Sequence, residues 1–292
     1  MSRRVFRTTT AVALVVSLGL VCLPACKKSK PTEADSPAPN PGPVVPAPGP
    51  GPGPGLPAPG PAPAPNATGG RDPSAPRSPV FATTTEAPFR AAAQGNLKQI
   101  MLAILHYHDA MQMFPAGYAD KDGKPGLSWR VAVLPYIEQA ALFQLFKLDE
   151  PWDSPNNKAL VARMPPAFAP PRVETNGYTF YRGFSGPNTW LPPQQQPVRP
   201  GQPLRGVRIN DITDGTSNTI VVAEAYEPVI WTKPDEMAFA PNSLPKLGGV
   251  FASGFHAGLA SGEVRFMRNT ISATTLANAI QINDGNVVDL DN

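Results

Sequence analysis

The chain has 292 residues and a formal net charge of +3, but its prolines and its charges are unevenly spread. Eighteen of 39 prolines lie in residues 31–79, where large apolar side chains are nearly absent, so this stretch cannot bury enough surface to fold. Residues 1–30 hold six of the 25 basic residues and no acidic one, which leaves 19 basic and 22 acidic residues for the rest. A basic face is therefore not expected, which argues against nucleic acid as a partner.

The first 25 residues have the pattern of an export signal. Arg3, Arg4 and Arg7 form a positive start, and residues 8–23 are an uncharged apolar run too short to require a permanent membrane span. The run ends in Leu23-Pro24-Ala25-Cys26, which resembles the lipobox of bacterial lipoproteins. That resemblance implies cleavage before Cys26, a diacylglyceryl group on its thiol and acylation of the new amine.

Two alternatives to this interpretation remain. The leader could be a plain secretory signal cut near Ala25, without lipid. Arg3 and Arg4 also resemble a twin-arginine export signal, so the export route stays open between the general and twin-arginine systems. With lipid on Cys26, the protein is predicted to be exported and held at a membrane of the cell envelope, because two or more acyl chains make a stable anchor.

Residues 26–87 are predicted to be a disordered linker. Pro-Ala and Pro-Gly repeats favour the polyproline II conformation, which rises ~3.1 Å per residue and acts as a semi-rigid spacer. The same composition could serve as a ligand for a proline-binding module, although it contains no clean recognition motif. The folded domain is then residues 88–292. Because both cysteines, Cys22 and Cys26, precede it, we expect no disulfide or cysteine nucleophile there.

The domain opens with a predicted amphipathic helix within residues 95–117. Its apolar residues follow the i, i+3, i+4, i+7 spacing of one buried helical face, and they are Leu97, Ile100, Met101, Ile104, Leu105 and Met111. Pro115 and Gly117 end it. His106 and His108 are two residues apart, so they point to different sides of a helix and cannot chelate one metal ion.

Shorter elements follow in the order helices, then strands. Ser128 is a predicted N-cap for two helical pieces interrupted at Pro135, and Ser154 with Pro155 starts another helix. Strands are predicted over residues 177–184, 207–209 and 219–225, with two more around a glycine turn in residues 248–267 and a last helix over residues 272–280. This order indicates an α+β fold with helices packed on a mostly antiparallel sheet.

Nine motifs, taken together, resemble the bacterial domain-of-unknown-function family 1559. They occupy residues 95–100 (GNLKQI), 106–109 (HYHD), 114–117 (FPAG), 128–131 (SWRV), 134–139 (LPYIEQ), 149–158 (DEPWDSPNNK), 211–219 (DITDGTSNT), 231–234 (WTKP) and 262–266 (GEVRF). The resemblance covers nearly all of residues 89–292 and implies a pseudopilin-like domain, with a long helix on an antiparallel sheet. The chain departs from the family in two respects. Its lipobox and linker replace the prepilin helix, and Ser261-Gly262 stands where the family has Asp-Gly.

The sequence offers few candidate sites. Asp211, Asp214 and Asn218 supply oxygens that could hold calcium, or they could instead form an Asx-capped turn. Glu138 and Glu224 could act as an acid/base pair, but nothing brings them together, and Glu224 is as well placed to bind an arginine. Phosphate-loop, Gly-x-Ser-x-Gly and His-Glu-x-x-His motifs are missing from the sequence. We therefore expect no enzyme activity and no required cofactor.

The favoured function is structural or interaction work at the envelope, with secretion-system or other envelope proteins as partners. The alternative is a glycan- or calcium-binding envelope module. In that case Trp190 and Trp231, with the aromatic strand around residues 178–184, would present rings to a ligand.

Overall fold

The computed structural model describes residues 86–171 and 176–290, so the signal peptide 1–25, Cys26 and nearly all of the linker 26–87 lie outside the described residues. The first element is the helix α1, Glu86–Met111, which begins before the predicted start at residue 95. The predicted apolar stripe is confirmed in its centre, since Leu97, Ile100 and Ile104 are fully buried. Met111 at the end of the stripe is 38% exposed.

Short elements then form the connection between α1 and the main sheet. They are β1 (Tyr118–Ala119), β2 (Pro125–Leu127), α2 (Trp129–Ala132), α3 (Ala140–Phe143) and α4 (Pro155–Ala159), with single 3-10 turns at Leu134–Ile137, Val161–Arg163 and Pro166–Phe168. Both predicted N-caps are confirmed. The Ser128 hydroxyl accepts the Arg130 N–H, and the Ser154 hydroxyl accepts the Asn157 N–H.

The main sheet has five strands. They are β3 (Tyr178–Ser185), β4 (Ile220–Ile230), β5 (Met237–Ala238), β6 (Gly254–Leu259) and β7 (Val264–Arg268), and their spatial order is β5-β3-β4-β6-β7. All neighbours pair antiparallel except the edge pair β3 and β5, which is parallel. The helix α5 (Ala273–Ile280) follows, capped by Ser272 as predicted. The α+β class and the mostly antiparallel pairing are thus present.

Close packing of α1 on the sheet depends on glycine. A Cβ atom at Gly258 of β6 would lie 2.4 Å from the Met101 sulfur, so a larger residue at this position would require the Met101 side chain to move. Gly262, in the turn between β6 and β7, has φ +91° and would place a Cβ 2.7 Å from Leu105. Among the described residues, no helix is long and apolar enough to cross a membrane.

One predicted strand is wrong. Residues 207–209 do not pair in a sheet, and a 3-10 turn covers Ile209–Asp211 instead. The reason is local, because the Asp211 carboxylate accepts the backbone N–H of Arg208 at 2.8 Å and closes the chain on itself. The Val207 carbonyl accepts the Phe114 N–H, and this hydrogen bond connects the turn to the residues that follow α1.

Asn157 holds the segment between α3 and α4 in place. Its side chain is fully buried, accepts the Lys147 N–H at 3.0 Å and donates to the carbonyls of Lys147, Glu150 and Pro151 at 2.9–3.1 Å. One amide side chain therefore binds four backbone groups, two of which, the Lys147 and Pro151 carbonyls, also accept backbone N–H groups.

We expect Asn157→Ala to lower the free energy of unfolding by about 1–3 kcal/mol, because the truncated side chain leaves buried backbone groups without partners. Urea unfolding followed by tryptophan fluorescence measures this. Lys158→Ala, an exposed position in the same helix, is the control and should stay within about 0.5 kcal/mol of wild type. Equal stability of the two variants would contradict this role of Asn157.

Candidate functional site

The predicted calcium ligands are engaged with the backbone of their own chain. The Asp214 carboxylate is buried and accepts the N–H groups of Asp284 at 2.7 Å and Gly285 at 3.0 Å. The Asp211 carboxylate caps the Arg208 N–H, and the Asn218 amide donates to the Asp214 carbonyl at 3.4 Å. In the described parts of the chain, no group of three or more His, Cys, Asp or Glu side chains could hold a metal ion. The calcium site stays a prediction.

The two predicted ligand-binding tryptophans are core residues. Trp190 is 0% exposed and lies edge-on to Trp129 with ring centroids 5.6 Å apart. Trp231 is also 0% exposed, stacks on Phe168 at 5.9 Å and donates its indole N–H to the Val161 carbonyl at 2.9 Å. Their assignment to an exposed aromatic platform is wrong, because packing against other rings gains more for these large side chains than exposure to water.

A row of polar and aromatic side chains crosses the sheet. The strand registers place Tyr181 of β3 opposite Glu224 of β4, and His256 of β6 opposite Phe266 of β7. One Glu224 carboxylate oxygen accepts the His256 backbone N–H at 2.7 Å and lies 3.0 Å from His256 Nδ1. The partner of Glu224 is therefore a histidine and not an arginine. Glu138, the other residue considered as its partner in an acid/base pair, is exposed on the connection before α3.

Burial determines the hydrogen bonding of Glu224 and the protonation state of Tyr181 in this row. Glu224 is 1% exposed and its second carboxylate oxygen has no hydrogen-bond partner among the described residues. Burial raises the pKa of the Tyr181 hydroxyl well above its usual value, and the Glu224 carboxylate raises it further. The Tyr181 hydroxyl therefore stays protonated and donates to the Ala93 carbonyl of α1 at 3.3 Å.

A second polar cluster surrounds Arg130 of α2. Its guanidinium makes a bidentate pair with Glu236, with N···O distances of 2.9 and 3.0 Å, and its Nε donates to the Tyr181 carbonyl at 2.9 Å. The Gly183 N–H also donates to Glu236, at 2.6 Å. Burial lowers the pKa of Arg130, and the charge and hydrogen bonds of Glu236 oppose that shift. The pair links α2 to β3 and to the residues before β5.

A cavity of about 290 Å³ opens beside this pair. We call it the Ser128 cavity, and its lining includes Ser128, Trp129, Pro192, Gln194 and Glu236. The Ser128 hydroxyl oxygen accepts the Arg130 Nη1–H at 2.5 Å. A guanidinium has only donors, so it cannot accept the hydroxyl proton and does not activate Ser128 as a nucleophile.

The charges at the cavity are neutralised within the protein. Glu236 is paired with Arg130, while Asp235 binds Arg182 at 3.2 Å and Lys233 at 2.8 Å. The geometry therefore suits contact with an uncharged group better than proton transfer or the capture of an ion.

Sequence reasoning missed both buried pairs. Arg130 and Glu236 are 106 residues apart in sequence, and Glu224 and His256 are 32 apart. A usable signal is the position of Glu224 in a run predicted to be a buried strand, since a buried ionisable group requires a partner. The motif at residues 128–131 contains Arg130, but nothing in it indicates the partner.

Comparison with known proteins identifies a family. The model of the family described as "Protein of unknown function (DUF1559)" matches residues 86–253, more than half of the chain. No curated protein and no solved structure matches.

We expect Glu236→Gln to lower the free energy of unfolding by about 3–5 kcal/mol, because the Arg130 charge then lacks its counter-charge in a buried position. Chemical denaturation of the full chain measures this loss. Asp235→Asn is the matched control, since Asp235 is 45% exposed and its pairs should contribute no more than about 1 kcal/mol. A loss below 1 kcal/mol in Glu236→Gln would contradict the central position of the pair.

Proposed function

Because the chain belongs to the DUF1559 family of proteins of unknown function, we propose its role from its own residues. It is a non-enzymatic, lipid-anchored protein of the cell envelope, and it displays a pseudopilin-like α+β domain for structural or protein-interaction work. Cys26 carries the lipid, and residues 26–87 space the domain away from the membrane. The partners are envelope or secretion-system proteins.

One observation carries the non-enzymatic part of the proposal. The polar side chains in the family motifs bind their own chain: Asn96 donates to the Ala169 carbonyl, Asn157 holds four backbone groups, and the Asp214 carboxylate holds two N–H groups. Groups used in this way maintain the fold and are not free to bind or activate a substrate.

The pseudopilin-like part is supported by the arrangement of the domain. A 26-residue helix lies against strands of a mostly antiparallel sheet. The buried stripe of α1 is confined to its central and C-terminal turns, while its first residues adjoin the linker. A domain attached through the start of its longest helix suits display on a stalk.

The anchor is supported by the sequence alone. The leader has the pattern expected of a processed lipoprotein. It has a positive start, an uncharged apolar run and a small residue before Cys26. The alternative function, a glycan- or calcium-binding module, has less support, because Trp190 and Trp231 are buried and the Asp214 carboxylate is occupied by backbone groups.

The test is metabolic labelling with a clickable palmitate analogue, followed by membrane fractionation. We expect wild type to be labelled and retained with membranes, and Cys26→Ser to lose both the label and the retention. Cys22→Ser is the matched control and should behave like wild type. Unlabelled, soluble wild-type protein would overturn the lipid anchor and leave the protein as a secreted one.

A further inference from the structure

We propose that residues 86–94, the first part of α1, form a latch that opens at Gly95 while the rest of the helix stays on the sheet. The name "latch segment" is used below for these residues. Its opening uncovers a small apolar cluster and the buried Glu224–His256 pair. The inference concerns a conformational device and does not depend on the lipid anchor.

The two parts of α1 differ in how they are buried. In the latch segment only Glu86 and Ala93 are buried, Ala93 contributes a single methyl group, and Phe89 and Arg90 are half-buried. The part after Gly95 buries Leu97, Ile100, Met101, Ala103, Ile104, Tyr107 and His108. Since apolar burial supplies most of the energy that holds a helix in place, the latch segment is held far more weakly than the rest.

Polar contacts replace apolar burial at the start of the latch segment. The Glu86 side chain is 2% exposed, and its carboxylate accepts the Ala252 N–H at 2.7 Å and the Ser253 hydroxyl. The Arg90 guanidinium lies over the Phe266 ring, 3.4 Å from its centroid. These contacts join the first turns of α1 to β7 and to the residues before β6.

Further contacts occur at the end of the latch segment. The Tyr181 hydroxyl donates to the Ala93 carbonyl at 3.3 Å, and the Gln94 side chain reaches the Val264 carbonyl at 3.4 Å. Both distances are long for hydrogen bonds of these types, so each contributes little. Glu86 therefore makes the strongest hydrogen bonds of the latch segment.

Gly95 is placed where such a latch needs a hinge. It is exposed within α1, and a Cβ atom built on it would meet nothing within 4 Å. Steric crowding thus does not require glycine at this position. Glycine inside a helix weakens it relative to alanine, because the unfolded backbone has more freedom to lose.

The surface under the latch segment is a separate apolar cluster. It consists of Ala93, Phe180, Val250 and Phe251, with Phe89 and Phe266 packed against it. The His256 ring lies between Phe251 and Phe266, with centroids 5.5 and 5.0 Å away. Opening the latch segment exposes these rings without disturbing the main core around Leu97 and Trp129.

The start of α1 is also the point at which the preceding chain enters the domain. Force on the chain before Glu86 would act first on the Glu86 attachment.

Hydrogen–deuterium exchange of the full chain, read by mass spectrometry, tests the proposal. We expect amides of residues 88–95 to exchange much faster than those of residues 100–108, which open only with the core. Glu86→Gln should accelerate exchange in residues 88–95 roughly tenfold, since a charge-assisted attachment is lost. Gly95→Ala should slow it about fivefold, since alanine is the better helix former. In both variants, residues 100–108 should still exchange much more slowly than residues 88–95, because their opening requires the core to unfold.

Glu138→Gln, an exposed carboxylate on another element, is the control and should alter neither region. If the Glu86 variant destabilises the whole domain, Tyr181→Phe offers a second test, because it keeps the ring and removes the hydroxyl that donates to the Ala93 carbonyl. Its expected effect is a smaller acceleration in residues 88–95. The proposal is overturned if all of α1 exchanges at one rate, or if Glu86→Gln and Gly95→Ala leave exchange in residues 88–95 unchanged.

Discussion

The buried ion pair of Arg130 and Glu236 is the constraint on which the arrangement of this domain depends. Arg130 is 0% exposed, and removing a guanidinium from water is costly unless a carboxylate and further acceptors replace the lost hydration. Glu236, Ser128 and the Tyr181 carbonyl supply those acceptors. Each acceptor lies on a different segment, so the charge can be satisfied only when the connecting helices, β3 and the residues before β5 are all in place.

The same principle extends to other polar residues of the family motifs. Asn96, Asn157 and Asp214 each bind backbone groups in segments that have no regular secondary structure. A long connection between a helix and a sheet leaves many backbone groups without ladder partners, and short polar side chains are the means available to satisfy them. In this protein, the polar residues of the family motifs therefore hold the fold together and give little evidence of a catalytic site.

The rigid and the weakly held parts of the domain follow from this distribution of contacts. Apolar burial and glycine-mediated close approach fix the C-terminal part of α1 on β6. Its first turns are held by the Glu86 carboxylate and by the contacts of Phe89 and Arg90. The proposed opening of these turns would couple the proposed stalk to exposure of the cluster around Phe180 and Phe251.

Local patterns in the sequence determined the helical stripe at Leu97–Ile104, the caps at Ser128, Ser154 and Ser272, and the strands β3, β4, β6 and β7, because spacing and capping act over a few residues. The strand predicted at residues 207–209 failed, since the Asp211 carboxylate turned the chain locally. Only the tertiary structure decided which side chains meet across long separations. It placed His256 beside Glu224, Glu236 beside Arg130, and the rings of Trp190 and Trp231 in the core. Periodicity indicates that a residue is buried, but the partner that compensates its polar atoms is fixed by strand order and register, which no short stretch of sequence contains.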